Sequence, residues 1–333
     1  MTNNKIKVFI DFEAITFNFL KRLPGNIKAD MLPYCYTIGM YRDNDVEKGF
    51  MTKTSLMSFK DFDYRTYIKK LKSNLINDIS ILAKEKITFQ NIDEKIEFYG
   101  WNPQMENDIL NRLFQVNCFN ASKYKGKRML SLKIVVPHLD RDDYFKATRK
   151  LFALKQPDVD RDIFNDPGFA AAYLGYIRFL LFNKTKKSAN KINLSLKDLH
   201  LIDTDIVNYN KDDVLKLDYC YRNQDIILER SNQLDTIDSN ISKNASYLSN
   251  QKKMLANFKK YAEKYSINKN QDDIQALRKY AAEKVAECNL LLKFIKGLPE
   301  NIISLEEAIM WAELKIEATS DKIEHYKKER KEL

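Results

Sequence analysis

A heptad pattern of apolar residues in the last third of the chain sets the strongest limit on its fold. An apolar side chain stands at every seventh position through this segment: Ile227, Leu234, Ile241, Leu248, Leu255 and Ala262. A spacing of seven places these side chains on one stripe of an α-helix, as in a coiled coil. A helix of roughly 40 residues is about 60 Å long, so we expect it to project from a compact domain.

Two more helices are predicted in the same part of the chain, residues 229–333. One carries apolar residues from position 274 to 295, and Gly297 and Pro299 end it. The other begins after Ser304, which forms the signature of a capping box with Glu307. Short connections predict antiparallel neighbours. We therefore interpret residues 229–333 as an antiparallel helical hairpin or three-helix coiled coil, a candidate surface for a homodimer or a protein partner.

Residues 1–228 alternate between strand and helix patterns instead. β-Branched and aromatic runs predict five strands, at residues 5–12, 34–41, 46–52, 96–100 and 128–136. Apolar residues at helical spacing predict helices at residues 59–84, 105–116, 169–182 and 208–228. This order predicts the α/β class, with a mixed five-stranded sheet flanked by helices. The chain is thus expected to have two domains, residues 1–228 and 229–333.

The charge of the chain is concentrated in the first domain. The 333 residues include 56 Lys+Arg and 46 Asp+Glu, a formal net charge of +10. Residues 1–224 hold 37 basic and 28 acidic side chains, a net charge of +9, whereas residues 225–333 hold 19 and 18. An anionic partner such as a nucleic-acid backbone would explain this excess. A general bias towards lysine is the alternative explanation.

Cysteine content and apolar segments indicate the compartment. The four cysteines are scattered and form no C-x-x-C pair: Cys35, Cys118, Cys220 and Cys288. Zinc and disulfide frameworks are therefore excluded, and a reducing compartment is expected. No signal-peptide pattern and no apolar segment of roughly 18 residues are present. We expect a cytoplasmic protein that does not enter the membrane.

Two acidic residues interrupt the apolar strand at residues 8–15 (VFIDFEAI). Asp11 and Glu13 are two positions apart, so both side chains point to the same face of the sheet. Burying two like charges is costly unless something offsets them, and a divalent cation is the natural offset. An exposed strand edge with a solvated pair is the alternative.

Two further polar groups follow at the starts of predicted helices. After the strand at 96–100, the segment YGWNPQMEND places Asn102 in a turn and Glu106 in the first turns of a helix. Tyr209 and Asp213 are four positions apart at another helix start, so they share one face. Each group alone is also typical of an ordinary helix N-terminus, where acidic side chains complement the helix dipole.

Together these groups resemble the motifs of the DEDD superfamily of 3′→5′ exonucleases. The resemblance is to the subgroup with a tyrosine before the last aspartate, which includes proofreading domains of DNA polymerases and ribonuclease D-like enzymes. The matching residues occur in the family's order: Asp11 and Glu13, then Asn102 and Glu106, then Tyr209 and Asp213. The resemblance covers residues 1–228 and implies a ribonuclease H-like fold.

The resemblance also implies an activity, the two-metal hydrolysis of phosphodiester bonds in single-stranded DNA or RNA with Mg²⁺ or Mn²⁺. It implies that Asp11 bridges both ions and that Glu13 and Asp213 complete one coordination shell. It further implies that Glu106 contributes to the other shell and that Tyr209 orients the attacking water.

One position departs from the family pattern. The family usually has aspartate four residues after the asparagine, where this chain has Glu106. Glutamate is one methylene longer but is still a hard oxygen ligand. Asp108 is the alternative ligand if the register of the helix shifts.

Four residues are candidates for substrate contacts: Asn102, Trp101, Phe17 and Lys187. Asn102 either orders its turn or approaches the substrate sugar. Trp101 and Phe17 lie near predicted loops, where aromatic rings can stack on bases of a single strand. Lys187 belongs to a lysine-rich loop at residues 184–191 that is either a strand-binding loop or merely solvated.

Three other functions are considered beside hydrolysis. The first domain could bind nucleic acid without cleaving it, or the tail could make the chain a coiled-coil interaction or dimerisation protein. The proofreading part of a protein-primed polymerase is a third reading, but no palm-domain motif follows. The three histidines form no triad with serine or cysteine, and no glycine-rich phosphate loop is present. Nucleophilic hydrolases and nucleotide-driven motors are therefore excluded.

Overall fold

The computed structural model of the chain describes residues 5–23, 27, 29–125, 130–141, 143–183, 192–269, 274–283 and 289–333. These residues divide into two compact units, one before and one after the step from Leu228 to Glu229. The heptad residues from Leu234 onward therefore belong to the second unit.

The first unit is built on a mixed sheet of five strands. They are β1 (Ile6–Thr16), β2 (Met31–Tyr41), β3 (Phe50–Leu56), β4 (Ile96–Gly100) and β5 (Cys118–Asn120), in the order β3-β2-β1-β4-β5. The pairs β1–β2 and β2–β3 are antiparallel, whereas β1–β4 and β4–β5 are parallel. The predicted α/β class with a mixed five-stranded sheet is confirmed.

Eight helices of the described chain flank this sheet or connect its strands. They are α1 (Phe17–Leu20), α2 (Tyr64–Ala83), α3 (Ile92–Lys95), α4 (Gln104–Phe114), α5 (Leu132–Val135), α6 (Lys146–Lys155), α7 (Pro167–Phe182) and α8 (Leu199–Arg222). The Asp63 carboxylate caps α2 by accepting from the Thr66 amide, and Asp166 caps α7 in the same way through Phe169. Within the parts of the chain that the structure describes, none of the helices combines the length and apolar content needed to span a membrane.

Two predicted strands are wrong in position. The third was expected at residues 46–52, but Val46–Lys48 forms a 3₁₀ turn, and Gly49 with φ of 90° leads into β3. The fifth was expected at residues 128–136, but Leu132–Val135 is helical and the actual fifth strand is Cys118–Asn120. The valines of the expected strand are instead buried in a helical turn and the residue after it, because burial rather than strand propensity decides their conformation.

Helix α8 lies against the face of the sheet that carries the acidic pair of β1. Val8, Ile10 and Phe12 point to the opposite face and are buried in the main core. Phe9 instead packs with Val214 and Leu217 of α8. Gly39 of β2 permits this close approach, because a Cβ atom there would lie 2.8 Å from the Val214 side chain.

The regular secondary structure in the described residues of the second unit is entirely helical. It contains α9 (Gln224–Lys269) from its sixth residue onward, α10 (Ile274–Glu283), α11 (Asn289–Lys296) and α12 (Leu305–Glu332). Lys259 pairs with Glu313 and Asp238 with Arg330, each at 2.6 Å, so α9 and α12 run antiparallel. The predicted capping box of Ser304 and Glu307 is confirmed at the start of α12. The 46 residues of α9 give a length of about 69 Å; that it projects from the first unit stays a prediction.

Candidate metal centre

The geometry of β1 places Asp11 and Glu13 beyond the end of a neighbouring strand. The parallel pairing of β1 with β4 extends only over Ile6–Phe9 on β1. On its other side, β1 stays paired with β2, where Asp11 faces Thr37 and Glu13 faces Cys35. A register shift follows immediately after Glu13, which marks a bulge. Both carboxylates therefore lie at the end of the sheet where β4 has already turned away.

Helix α4 brings a third acid to the same end of the sheet. After Gly100 the chain turns at Asn102, whose φ of 44° is left-handed, and α4 begins two residues later. Glu106 in its first turn is 5% exposed, and the backbone amide of Phe12 on β1 helps to stabilise its charged form. Asp108, the alternative ligand, is exposed. Glu106 rather than Asp108 thus adjoins the acidic pair.

Helix α8 supplies the fourth acid. Asp213 is buried, and the Tyr209 hydroxyl comes from one turn earlier on the same helix face and interacts with its carboxylate. The ring of Tyr209 packs against Tyr144 and Phe145, with centroids 5.2 and 5.4 Å away. Packing of this kind fixes the direction in which the hydroxyl points. The expected pairing of Tyr209 and Asp213 on one helix face is confirmed.

Three of these acids are close enough together to hold one cation. A carboxylate oxygen from each of Asp11, Glu13 and Asp213 lies within 4.8 Å of the others. Metal–oxygen distances of about 2.0–2.6 Å allow ligand oxygens on one ion to be up to about 4–5 Å apart. Oxygen-only donors suit Mg²⁺ or Mn²⁺. The residues present therefore fit a divalent cation, and Glu106 stands outside this group of three.

The electrostatics of the cluster are unfavourable without a cation. Burial, followed by repulsion from neighbouring carboxylates, raises the pKa of Asp11 and that of Glu13 well above their ordinary values. Burial raises the pKa of Glu106 to about 7. It also raises the pKa of Asp213, against the opposing effect of the Lys216 ammonium. Ionising all four acids in this place costs free energy, which a bound cation would offset.

A buried amide, which the sequence reasoning missed, joins the acids of β1. Asn210 is fully buried, and its Nδ2 donates to the Asp11 carboxylate and, at 3.3 Å, to the Asp11 carbonyl. The same side chain accepts from the Cys35 thiol at 3.8 Å, and its interaction with Glu13 partly opposes the rise in the pKa of that carboxyl. Its position three residues before Asp213 was the available signal, because that spacing shares a helix face.

A buried ion pair, also missed, adjoins Asp213. Lys216 is 2% exposed, and its Nζ lies 3.0 Å from Asp213 Oδ1 and 2.9 Å from Asp140 Oδ1. The position of Lys216, three residues after Asp213, is again a readable signal. Asp140 comes from the segment between α5 and α6, and no local pattern marks it.

The predicted substrate residues differ in their surroundings. Trp101 Nε1 and Asn102 Nδ2 both donate to the Leu130 carbonyl, so both hold the turn after β4. Trp101 is also partly buried against the apolar cluster that includes Val214 and Leu217 of α8. Phe17 is 58% exposed at the end of β1. Lys187 lies outside the described residues.

A cavity of about 350 Å³ lies against the cluster. Tyr209, Asp213 and Lys216 line one part of it, and the remaining wall includes Lys133 and Asn165. Its volume falls in the range of about 300–1,000 Å³ that small-molecule sites occupy.

Comparison of the chain with family models, with curated proteins and with solved structures finds no match.

Proposed function

We propose that the chain is a metal-dependent 3′→5′ exonuclease of the ribonuclease H-like fold, acting on single-stranded DNA or RNA. The observation that carries this proposal is the convergence of one oxygen each from Asp11, Glu13 and Asp213 within 4.8 Å. These are acids that the resemblance to the DEDD exonucleases marks as metal ligands. Apart from the one-turn helices α1 and α3, the elements follow the order β1-β2-β3-α2-β4-α4-β5, which supports the fold part of the proposal.

The residues of the cluster have separable roles in this proposal. Divalent cations held there would supply a hydroxide near neutral pH and stabilise the leaving oxygen. Asp11, Glu13 and Asp213 provide oxygen ligands, and Glu106 adds a buried carboxylate beside them. Burial raises the pKa of Tyr209 well above its ordinary value. In the proposal, its hydroxyl orients the attacking water by hydrogen bonding.

Two further properties of the first unit fit this function. Residues 1–224 carry a net charge of +9, which favours a polyanionic substrate. The described cysteines Cys35, Cys118 and Cys220 are buried free thiols, which fits a reducing compartment such as the cytoplasm.

The test is degradation of single-stranded DNA and RNA oligonucleotides labelled at the 5′ end. With Mg²⁺ or Mn²⁺ we expect a ladder of products shortened from the 3′ end, and with EDTA we expect none, because the carboxylates alone cannot generate the nucleophile. The same oligonucleotides labelled at the 3′ end should release a labelled mononucleotide first. Binding of either oligonucleotide without shortening in the presence of both metals would instead identify a nucleic-acid-binding protein.

A second candidate function, self-association through the second unit, is favoured by an exposed apolar stripe. Met310 and Leu314, one turn apart on α12, are 54% and 60% exposed. We expect the full chain to be a dimer and the double substitution Met310→Glu with Leu314→Glu to make it a monomer, because buried charges oppose association. Light scattering measures both masses. A monomeric unsubstituted chain would exclude the dimer.

A further inference from the structure

Among the described residues, Lys216 is the only cation in contact with the acidic cluster of Asp11, Glu13, Glu106 and Asp213. Its side chain is as buried as those of the hydrophobic core. It is 2% exposed, and its Nζ lies between Asp213 and Asp140. A lysine ammonium loses its hydration when it is buried, so it is retained only where partners replace the water. Here two carboxylates replace it, and the ring of Tyr144 lies 5.2 Å from Nζ.

Asp213 is held from both directions along α8. The Tyr209 hydroxyl comes from one turn before it, and Lys216 from one turn after it, with Nζ 3.0 Å from Oδ1. Charge-assisted hydrogen bonds are stronger and more directional than neutral ones. The Asp213 carboxylate therefore has one favoured orientation before any cation binds.

Lys216 is in turn held by a residue outside the motifs. Asp140 has a side chain that is 8% exposed, and it binds Lys216 through Oδ1 at 2.9 Å. Its Oδ2 lies 3.3 Å from Lys133, which is 55% exposed. The order of contacts thus runs from Asp140 through Lys216 to Asp213, and only its last member belongs to the group of three ligands.

We propose that Lys216, anchored by Asp140, is a positioning residue that fixes Asp213 and offsets part of the negative charge of the cluster. It does so at the expense of metal affinity, because a positive charge near the ligands repels the cations that the proposed function requires. The inference rests on that proposed function. It predicts that removing Lys216 has opposite effects on metal binding and on turnover.

The decisive variant is Lys216→Met, which keeps the length of the side chain and removes its charge. We expect the dissociation constant for Mn²⁺ to fall about tenfold, because one like charge near the site is lost. We expect the rate of oligonucleotide hydrolysis to fall at least about tenfold, because Asp213 loses its orientation. A purely structural role of Lys216 would weaken metal binding and hydrolysis together.

Mn²⁺ affinity is measured by the electron paramagnetic resonance signal of free Mn²⁺ during titration of the metal-free full chain. Lys133→Met is the matched control, because it removes an exposed lysine that contacts the same Asp140. Its dissociation constant should stay within about twofold of the unsubstituted value, since exposed charges are screened. Unchanged or weaker Mn²⁺ binding by Lys216→Met, or its full activity, would overturn the inference.

Asp140→Asn keeps the inference testable if Lys216→Met does not fold, as judged by near-ultraviolet circular dichroism. This variant keeps the ammonium and an acceptor oxygen for it, but it removes the negative charge that anchors Lys216. We expect it to bind Mn²⁺ about threefold more weakly and to hydrolyse more slowly; unchanged values for both would overturn the inference. If the unsubstituted chain binds no Mn²⁺, the proposed function fails and this inference with it. If it binds Mn²⁺ and only the variants contradict the expectation, the inference fails alone.

Discussion

Replacing Asp11 by asparagine is expected to abolish hydrolysis while making the metal-free protein more stable. The loss of a ligand that the proposed mechanism needs should lower the single-turnover rate by about 10³-fold or more, which corresponds to about 4 kcal/mol of barrier. The gain in stability follows because burial and the neighbouring carboxylates already raise the pKa of Asp11. A neutral side chain of the same shape removes that repulsion. Urea unfolding in EDTA measures the free energy of unfolding.

A substitution that lowers the rate of hydrolysis but raises the free energy of unfolding identifies a functional carboxylate. Substitution of a structural carboxylate would lower both. Asp213→Asn should lose activity similarly, and its Oδ1 should still accept from Lys216. Asp108→Asn is the matched control, because Asp108 lies two residues after Glu106 on α4 and is exposed. Its rate and its free energy of unfolding should both match those of the unsubstituted chain. Full activity of Asp11→Asn and Asp213→Asn would remove the assignment of the site.

The metal-free protein is expected to lose stability as pH rises from about 4.5 to about 7. Burial raises the pKa of Glu106 from 4.5 to about 7. Between these values the folded chain keeps the proton and the unfolded chain does not, so rising pH favours unfolding. A rise of this size corresponds to about 3 kcal/mol. The raised pKa values of Asp11 and Glu13 act in the same direction.

Urea unfolding in EDTA at a series of pH values measures this slope. Glu106→Gln should reduce the slope without removing it, since the amide does not titrate but Asp11 and Glu13 still do, whereas Asp108→Asn should leave it unchanged. Saturating Mn²⁺ at pH 7.5 should restore stability, because a ligand that binds only the folded state stabilises it. A metal-free protein whose stability is constant or rises over this interval would contradict the buried, repelling arrangement of the acids.

Those parts of the site that depend on local geometry could be predicted from the sequence. Asp11 and Glu13 share a face because a strand has a period of two, and Tyr209 and Asp213 share one because a helix has a period near four. Neither inference needs knowledge of the tertiary structure. Asn210 and Lys216 obey the same helical rule and share the face of Asp213, but the spacing alone does not show which partners they contact.

Features decided by contacts between distant segments could not be predicted in this way. The fifth strand, Cys118–Asn120, is three residues long and exists because it pairs with the end of β4. So short a segment has no periodicity, while the more apolar segment around Val135 looked more like a strand. The ion pair of Asp140 with Lys216 could not be predicted either. An aspartate in an irregular segment is common, and only its contact with Lys216 distinguishes Asp140.

Four of the groups at the site are carried by α8: Tyr209, Asn210, Asp213 and Lys216. A helix is rigid over two turns, so its backbone geometry sets the spacing among these four side chains. That spacing does not depend on the irregular segments that precede α8. Insertions or substitutions in those segments can reshape the cavity wall without disturbing that spacing. Substrate preference and chemical competence are thus able to diverge separately in descendants of this chain.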